Sequence, residues 1–308
     1  MKPAAAFRER ALCIACGSKD LEVLDEGSYG DGPFRKEIES SPWGESPMPH
    51  LETARWTFVR CKACQQMFHR KILTPEWDEI RHSRWMTLDA IREFERQHGS
   101  ERVAFAQALG WVEHVLRLDR LTRELRGTKP LRVLDFGCGF GGFVDMCSRF
   151  GFDAVGVDRS HARQAGASVV MIYSSLEELA RSKAGAQKFH AITLFEVLEH
   201  LDDPMSILRE LGKFVGDGGF LVLETPDCTG LRRLVPGQTW HLADGLDHIN
   251  GFTPATLSAM AARAGFRQIR RPTVQASASP FGVLKREARR CLGPILRKTT
   301  QQYFVRSR

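Results

Sequence analysis

The stretch VLDFGCGFGGF, from Val133 to Phe143, constrains the fold of this chain more than any other. An aliphatic run ends in a cluster of glycines and passes straight into a helical pattern. Glycines at such a place let the backbone turn tightly and let a ligand press on main-chain atoms, where a Cβ would intrude. Strand and helix patterns alternate from there: LRVLDF, the glycine turn with its helix, AVGVD, AITLF, the helix LDDPMSILRELGKFV, and FLVLE after the Gly218–Gly219 turn. That alternation predicts an α/β fold, a doubly wound and mainly parallel sheet. The segment FTPATLSAMAARAGF reads as a helix with Thr253 as N-cap, Pro254 at its first position and Gly265 just past its end. Asp158 closes the second strand, 21 residues beyond Gly137, where an acid can accept hydrogen bonds from the ribose hydroxyls of a nucleoside.

The 308 residues suffice for one large domain and a small one, or for two modest ones. No apolar run approaches the ~18 residues of a membrane span. The opening MKPAAAFRERAL lacks the apolar stretch of a secretion signal. Of the eight cysteines, four form two CxxC pairs, Cys13/Cys16 and Cys61/Cys64, while Cys138, Cys147, Cys228 and Cys291 stand alone. That usage suits a reducing compartment, so the expected address is the cytoplasm. From Pro272 onward eight basic residues face one acid, which accounts for the whole formal charge of +7 and leaves the body of the chain balanced.

The chain reads as four segments. Residues 1–74 are short-period and rich in Gly, Pro and Ser, a loop-rich module held by something other than a large core. Residues 75–128 turn helical, with Phe105, Leu109, Val112, Leu116, Leu121 and Leu125 as the apolar stripe of a lid or linker. Residues 129–271 hold the strand–helix alternation. Residues 272–308 form a basic tail. In it Leu284, Ala288, Cys291, Leu292, Ile295 and Leu296 share one helical face, opposite Lys285, Arg286, Arg289 and Arg290. Such a helix suits packing on its own protein first, an anionic membrane surface next, and nucleic acid third.

Between about Leu131 and Ile269 the set VLDFGCGFGGF, AVGVD, FEVLEHLDDP, GGFLVLETPD and HINGFTPATLSAMAARAGF resembles the class I S-adenosylmethionine-dependent methyltransferases. The resemblance implies a Rossmann-like core with S-adenosylmethionine as cofactor. Gly137, Cys138, Gly139 and Gly141 would back its methionine part, with Asp135 beside the amino group. Asp158, with Arg159 next to it, would hold the ribose, and Ser175 and Leu176 would border the adenine. Phe195 and Glu196 would close the floor.

In FEVLEHL, Glu196, Glu199 and His200 stand at i, i+3 and i+4 and would share one face of a helix. As the plain exit from a strand they cap and brace backbone. The same Glu-x-x-Glu-His pattern also resembles two branches of the family, the small-RNA 2′-O-methyltransferases and the ubiquinone-pathway O-methyltransferases. There a distant histidine completes a divalent metal site beside the acceptor hydroxyl. His248 and His241 are the histidines for that role, Mg²⁺ or Mn²⁺ the ions such ligands suit. Without a metal, any of His200, His241 and His248 can serve as general base.

The pairs CIAC and CKAC can surround Zn²⁺ with the four thiolates of Cys13, Cys16, Cys61 and Cys64. The expected role is structural, a small zinc-ribbon module that walls the acceptor site. The pattern CxxCGS…RCxxCxxxF also resembles the N-terminal module of sugar C-methyltransferases. The function expected is methyl transfer to a hydroxyl of a small molecule or of a sugar or glycan. RNA methylation, sugar C-methylation and a non-catalytic binding protein on the same scaffold are the alternatives.

Overall fold

The computed structural model describes residues 4–126, 130–159, 170–274 and 299–307. In chain order the strands are β1 (Phe7–Glu9), β2 (Leu21–Ser28), β3 (Arg55–Cys61), β4 (Met67–His69), β5 (Lys71–Leu73), β6 (Arg132–Phe136), β7 (Asp153–Val157), β8 (Ile172–Tyr173), β9 (Phe189–Phe195), β10 (Val215–Pro226), β11 (Asn250–Gly251), β12 (Phe266–Ile269) and β13 (Thr299–Arg306). The chain divides into two compact units. The first gathers Met1–Gly99, Leu198–Met205 and Pro226–Ala259, the second Ser100–Val197, Ser206–Thr225 and Met260–Arg308.

The second unit is built on a seven-stranded sheet in the order β12-β13-β10-β9-β6-β7-β8. Strands β6 to β10 pair in parallel, whereas β13 is antiparallel to β12. Parallel strands joined by crossover helices are covered on both faces. Accordingly residues 191–194 and 220–223 are buried without a break. From β6 the chain proceeds to β7 and β8 on one side and returns to β9 and β10 on the other. The reversal between β6 and β9 is the place where open α/β sheets bind ligands beyond the strands' carboxyl ends.

Two expectations differ from the structure here. The helix Glu101–Arg126, expected as part of a lid or linker, packs into this unit's core. It packs Trp111, Val115, Leu118 and Leu121 against Leu131, Val133, Phe143, Ala191 and Val222. Its buried stripe is rotated by about one residue from the one read in the sequence, and Phe105 stays 54% exposed. The sheet selects the larger Trp111 face over the Phe105–Val112 face. Residues 299–306, read as tail, form the strand between β12 and β10, with Tyr303 and Phe304 buried. The amphipathic helix expected over residues 284–298 lies outside the described residues.

The first unit holds a four-stranded antiparallel sheet, β11-β4-β3-β2, and the pair β1–β5. Strand β11 comes from the segment after β10 and sets Asn250 opposite Phe68. The module read as residues 1–74 is thus completed by chain from far downstream. Arg10 helps to tie the two together, donating to the carbonyls of His69 and Ile249 and to Asn250 Oδ1 at 2.7, 2.8 and 2.8 Å. Nor is this unit short of a core. Tyr29, Trp56, Phe58, Trp240 and Leu246 are buried together, so Trp56 and Trp240 are packing residues. Among the described residues no helix is long and apolar enough to cross a membrane.

Candidate functional site

The turn after β6 is held open by left-handed glycines, with φ of 76° at Gly137, 56° at Gly139 and 77° at Gly141. A Cβ on Gly137 would lie 2.4 Å from Val197 Cγ2, and one on Gly141 2.4 Å from Val170 Cγ2. At Gly139 it would meet nothing within 4 Å, so main chain there borders open space. Gly137 N and Cys138 N both donate to the Val157 carbonyl, at 2.7 and 3.2 Å, which pins the turn to β7. Asp158 faces the turn, its Oδ2 accepting from Gly139 N at 2.9 Å. Arg159 beside it is exposed. Such a cradle fits S-adenosylmethionine, because the bare edge at Gly139 and a carboxylate at the end of the second strand are what its methionine and ribose parts require.

Ser175 caps the helix Leu176–Arg181 by accepting from Glu178 N at 3.1 Å, while Glu178 turns back to accept from Ser174 N and Oγ at 2.6 Å. The sequence has the spacing of a capping box, but the Glu178 carboxylate reaches one residue further back than the N-cap N–H. Leu176 is buried beside it. Asp135 lies beneath the turn and accepts from Thr193 Oγ1 at 2.6 Å, and burial pushes its carboxyl up to about 7. Phe195 stacks on His114 with ring centroids 4.5 Å apart and meets Phe143 edge-on. Glu196 is exposed and holds a left-handed φ of 55°, its N–H bonded to the Glu224 carbonyl.

That left-handed residue breaks the α-helical register expected for FEVLEHL. The chain past it makes a single 3₁₀ turn, Leu198–His200. In the first unit Glu199, His200 and His248 each offer a ligand atom, all within 4.8 Å of one another. Glu199 is fully buried, and its Oε1 lies 3.8 Å from His200 Nε2. His200 Nδ1 is 3.0 Å from Asp247 Oδ1, and His248 Nδ1 donates to the His241 carbonyl at 2.8 Å. Both imidazoles are therefore fixed through Nδ1, which leaves Nε2 for a cation. Burial opposes charge on His200, yet the Asp247 carboxylate outweighs it and pushes that imidazole up to about 9. Burial together with the His200 charge lowers His248. His241 contributes its carbonyl, and its own ring is exposed.

The four CxxC thiols also converge in the first unit. Cys13 Sγ is 3.5 Å from Cys64 Sγ and Cys16 Sγ is 3.6 Å from Cys61 Sγ. All four sulfurs lie within 4.8 Å of one another. A disulfide would bring two sulfurs to about 2.05 Å. Tetrahedral zinc with bonds of about 2.3 Å separates them by about 3.8 Å, so the cluster fits Zn²⁺. Burial pushes the Cys13 thiol up, against the Ala15 N–H that points at its Sγ from 3.4 Å and favours the thiolate.

A profile of the methyltransferase-domain family matches residues 109–270, just over half of the chain. The chain belongs to this methyltransferase family. The ubiquinone biosynthesis O-methyltransferase of Azorhizobium caulinodans is 34% identical over 175 residues, 51% of this chain and 68% of that protein. The protein of the same name from Xanthomonas axonopodis pv. citri is 32% identical over 157 residues, 44% and 62% of the two chains. For that of Vibrio cholerae the matched part is 48% of its length, so the methyltransferase spans about half to two thirds of such relatives. The magnesium protoporphyrin IX methyltransferase of Synechocystis PCC 6803, solved with S-adenosylhomocysteine, is 18% identical, with 75% of this chain and 98% of that one covered at a TM-score of 0.45.

Sequence reasoning missed several polar groups of the methyltransferase. Asp247 orients His200, and nothing within the DHINGF stretch marks it for that role. Behind Phe195, Gln301 Nε2 donates to Glu224 Oε2 and lies 3.1 Å from His114 Nδ1, and Thr299 Oγ1 donates to Glu224 Oε1 at 3.1 Å. Burial holds His114 neutral, down to about 3, and raises Glu224. The pattern of a polar residue inside an apolar strand was the one available signal, at Glu224 in FLVLE.

Proposed function

We propose that this methyltransferase moves a methyl group from S-adenosylmethionine to a hydroxyl of a small-molecule, sugar or glycan acceptor, with a divalent cation held by Glu199, His200 and His248. The observation that carries the cation is the pair of histidines, each fixed through Nδ1 beside a buried carboxylate. Such a ligand set suits Mg²⁺ or Mn²⁺. The names of the curated relatives favour oxygen as the acceptor atom. The bound cofactor supplies an electrophilic methyl on its sulfonium, and a cation lowers the pKa of an acceptor hydroxyl. In this reading Gly137, Cys138, Gly139 and Gly141 border the methionine part, Asp135 receives its ammonium and Asp158 the ribose. Ser175 and Leu176 line the adenine, and Phe195 with Glu196 forms the floor. The left-handed Glu196 keeps its carboxylate out of the ion's ligand set, since it no longer shares a helical face with Glu199 and His200. Zn²⁺ at Cys13, Cys16, Cys61 and Cys64 is structural.

The test is methyl transfer to a panel of catechols, simple alcohols and sugars, before and after mild chelation that leaves thiol-bound zinc in place by elemental analysis. Activity is expected to fall at least about 100-fold and to return with Mn²⁺, and Glu199→Gln is expected to lose the Mn²⁺ response. Full activity after chelation would remove the cation from the proposal.

The Asp135 carboxyl gives a pH dependence. In the free protein it holds its proton up to about pH 7. A neighbouring ammonium prefers the carboxylate, so binding must release that proton below pH 7. Affinity for S-adenosylmethionine is expected to rise with pH, by up to about tenfold per unit, and to level off once Asp135 is already ionised. Calorimetry across that range checks it, and a flat profile would take Asp135 away from the ammonium.

A further inference from the structure

In the first unit, the chain of contacts running from His200 does not stop at Asp247. Asp247 Oδ1, which receives His200 Nδ1 at 3.0 Å, also accepts from Arg81 Nη1 at 2.5 Å. The Arg81 side chain is 3% exposed, and its Nε reaches Asp78 Oδ1 at 3.0 Å. A third donor, Nη2, lies 2.8 Å from His82 Nε2. An arginine this deeply enclosed and bonded along its fork cannot swing away, and it fixes the carboxylate it holds.

The backbone supporting Arg81 is equally specific. Residues Arg81–Trp85 form one π-helical turn after the helix Pro75–Ile80, closed by Met86 N–H donating to the Arg81 carbonyl at 2.7 Å. Such turns cost helix geometry and recur where a side chain must be aimed. Trp85 is fully buried and packs on Trp77 and His50, which locks the turn. On the other partner, Asp244 Oδ1 accepts from Leu246 N and Asp247 N at 2.8 and 2.7 Å, so the loop carrying Asp247 is fixed as well.

We propose that Arg81 is a positioning residue for the Glu199/His200/His248 cluster: held by Asp78, it orients Asp247, and Asp247 in turn sets the ring of His200 so that Nε2 faces Glu199. Neither Arg81 nor Asp78 lies within the residues matched by the methyltransferase-domain profile, so this support comes from a part of the chain outside that domain. The inference rests on the proposed cation site for its effect on binding, while the placement of the His200 ring stands on the contacts alone.

The experiment uses the full chain and two readouts. The first is the ring N–H proton resonance of His200 in its bond to Asp247, assigned by its loss in His200→Asn. The second is Mn²⁺ affinity by calorimetry. In Arg81→Gln the protected ring resonance is expected to disappear and Mn²⁺ affinity to fall by about 10- to 100-fold. Adding Asp247→Asn to Arg81→Gln is expected to cost little more, since both act on one contact chain. Asp78→Asn, a milder change at a half-exposed residue, is expected to move both readouts the same way by less, and it carries the test if Arg81→Gln does not fold. An unchanged ring resonance in folded Arg81→Gln or in Asp78→Asn would overturn the proposal, as would equal Mn²⁺ affinity in wild type and both variants. A wild type that binds no Mn²⁺ but loses the ring resonance in these variants would sink the cation site and still support the positioning role.

Discussion

Zinc at the four thiols, as proposed, is expected to contribute more to the stability of the first unit than any other single group. The sulfurs of the two close pairs stand 3.5 and 3.6 Å apart, near the separation of about 3.8 Å that tetrahedral zinc imposes. Structural zinc contributes on the order of 10 kcal/mol to small modules. That is comparable to the whole margin of a folded domain, about 5–15 kcal/mol. The two knuckles also sit at consequential points. Cys61 ends β3, and its N–H donates to the Gln66 carbonyl at 2.9 Å to start the return into β4. Cys13 lies three residues past Arg10, whose guanidinium ties the N-terminal segment to Ile249 and Asn250. Cys61→Ser, or zinc removal by a thiol-competitive chelator, is therefore expected to abolish amide-exchange protection in β3, β4 and β11 together. Elemental analysis is expected to count one zinc per chain. A protein containing no zinc, with Cys61→Ser as protected as wild type, would reduce the four cysteines to packing.

How much of this was legible depended on whether the signal was local. The glycine turn, the strands around it and the helix Pro254–Arg263 could be read because each carries its own punctuation; Thr253 Oγ1 does accept from Thr256 N at 3.2 Å, as its place before Pro254 implies. The strand Thr299–Arg306 could not. TTQQYFVR has the β-branched and aromatic residues of a strand, but its partner is fixed by a pairing across the sheet with Phe266–Ile269. The arginines around it gave the louder, misleading signal of a basic tail. Likewise, nothing local in DHINGF says that Asn250 and Gly251 will pair with Phe68 and Met67, far back in the chain. The FEVLEHL face failed for the opposite reason, a local rule overridden. An i, i+3, i+4 pattern assumes continuous α-helix, and the left-handed Glu196 ends β9 in a way no spacing reveals. Glu199 and His200 nonetheless converge with His248, because the 3₁₀ turn is fixed by Asn250 Nδ2, which donates to the Leu198 and Leu201 carbonyls at 2.9 and 2.6 Å.

The glycine turn yields the sharpest separation between folding and binding. Gly137→Ala places a methyl 2.4 Å from Val197 Cγ2 in a backbone of φ 76°. The left-handed backbone alone costs about 1–2 kcal/mol for a residue with a Cβ, and overpacking adds about 1–3 kcal/mol. Gly139→Ala shares the left-handed penalty, but its methyl meets nothing within 4 Å and instead enters the open edge beside Asp158. The two variants should therefore fail differently. Gly137→Ala is expected to lower the unfolding midpoint sharply, and Val197→Ala in the same chain is expected to recover the steric part and leave the backbone part. Gly139→Ala is expected to lose only about 1 kcal/mol of stability while its affinity for S-adenosylmethionine drops at least about 100-fold, since a ligand pressed on main chain has no room for the added carbon. Denaturant titration and calorimetry on the same preparations give both numbers. A Gly139→Ala protein that binds the cofactor as wild type does would mean that the open edge of the turn is not where the methionine part lies, and the assignment of Gly137, Gly139 and Gly141 as its cradle would fall with it.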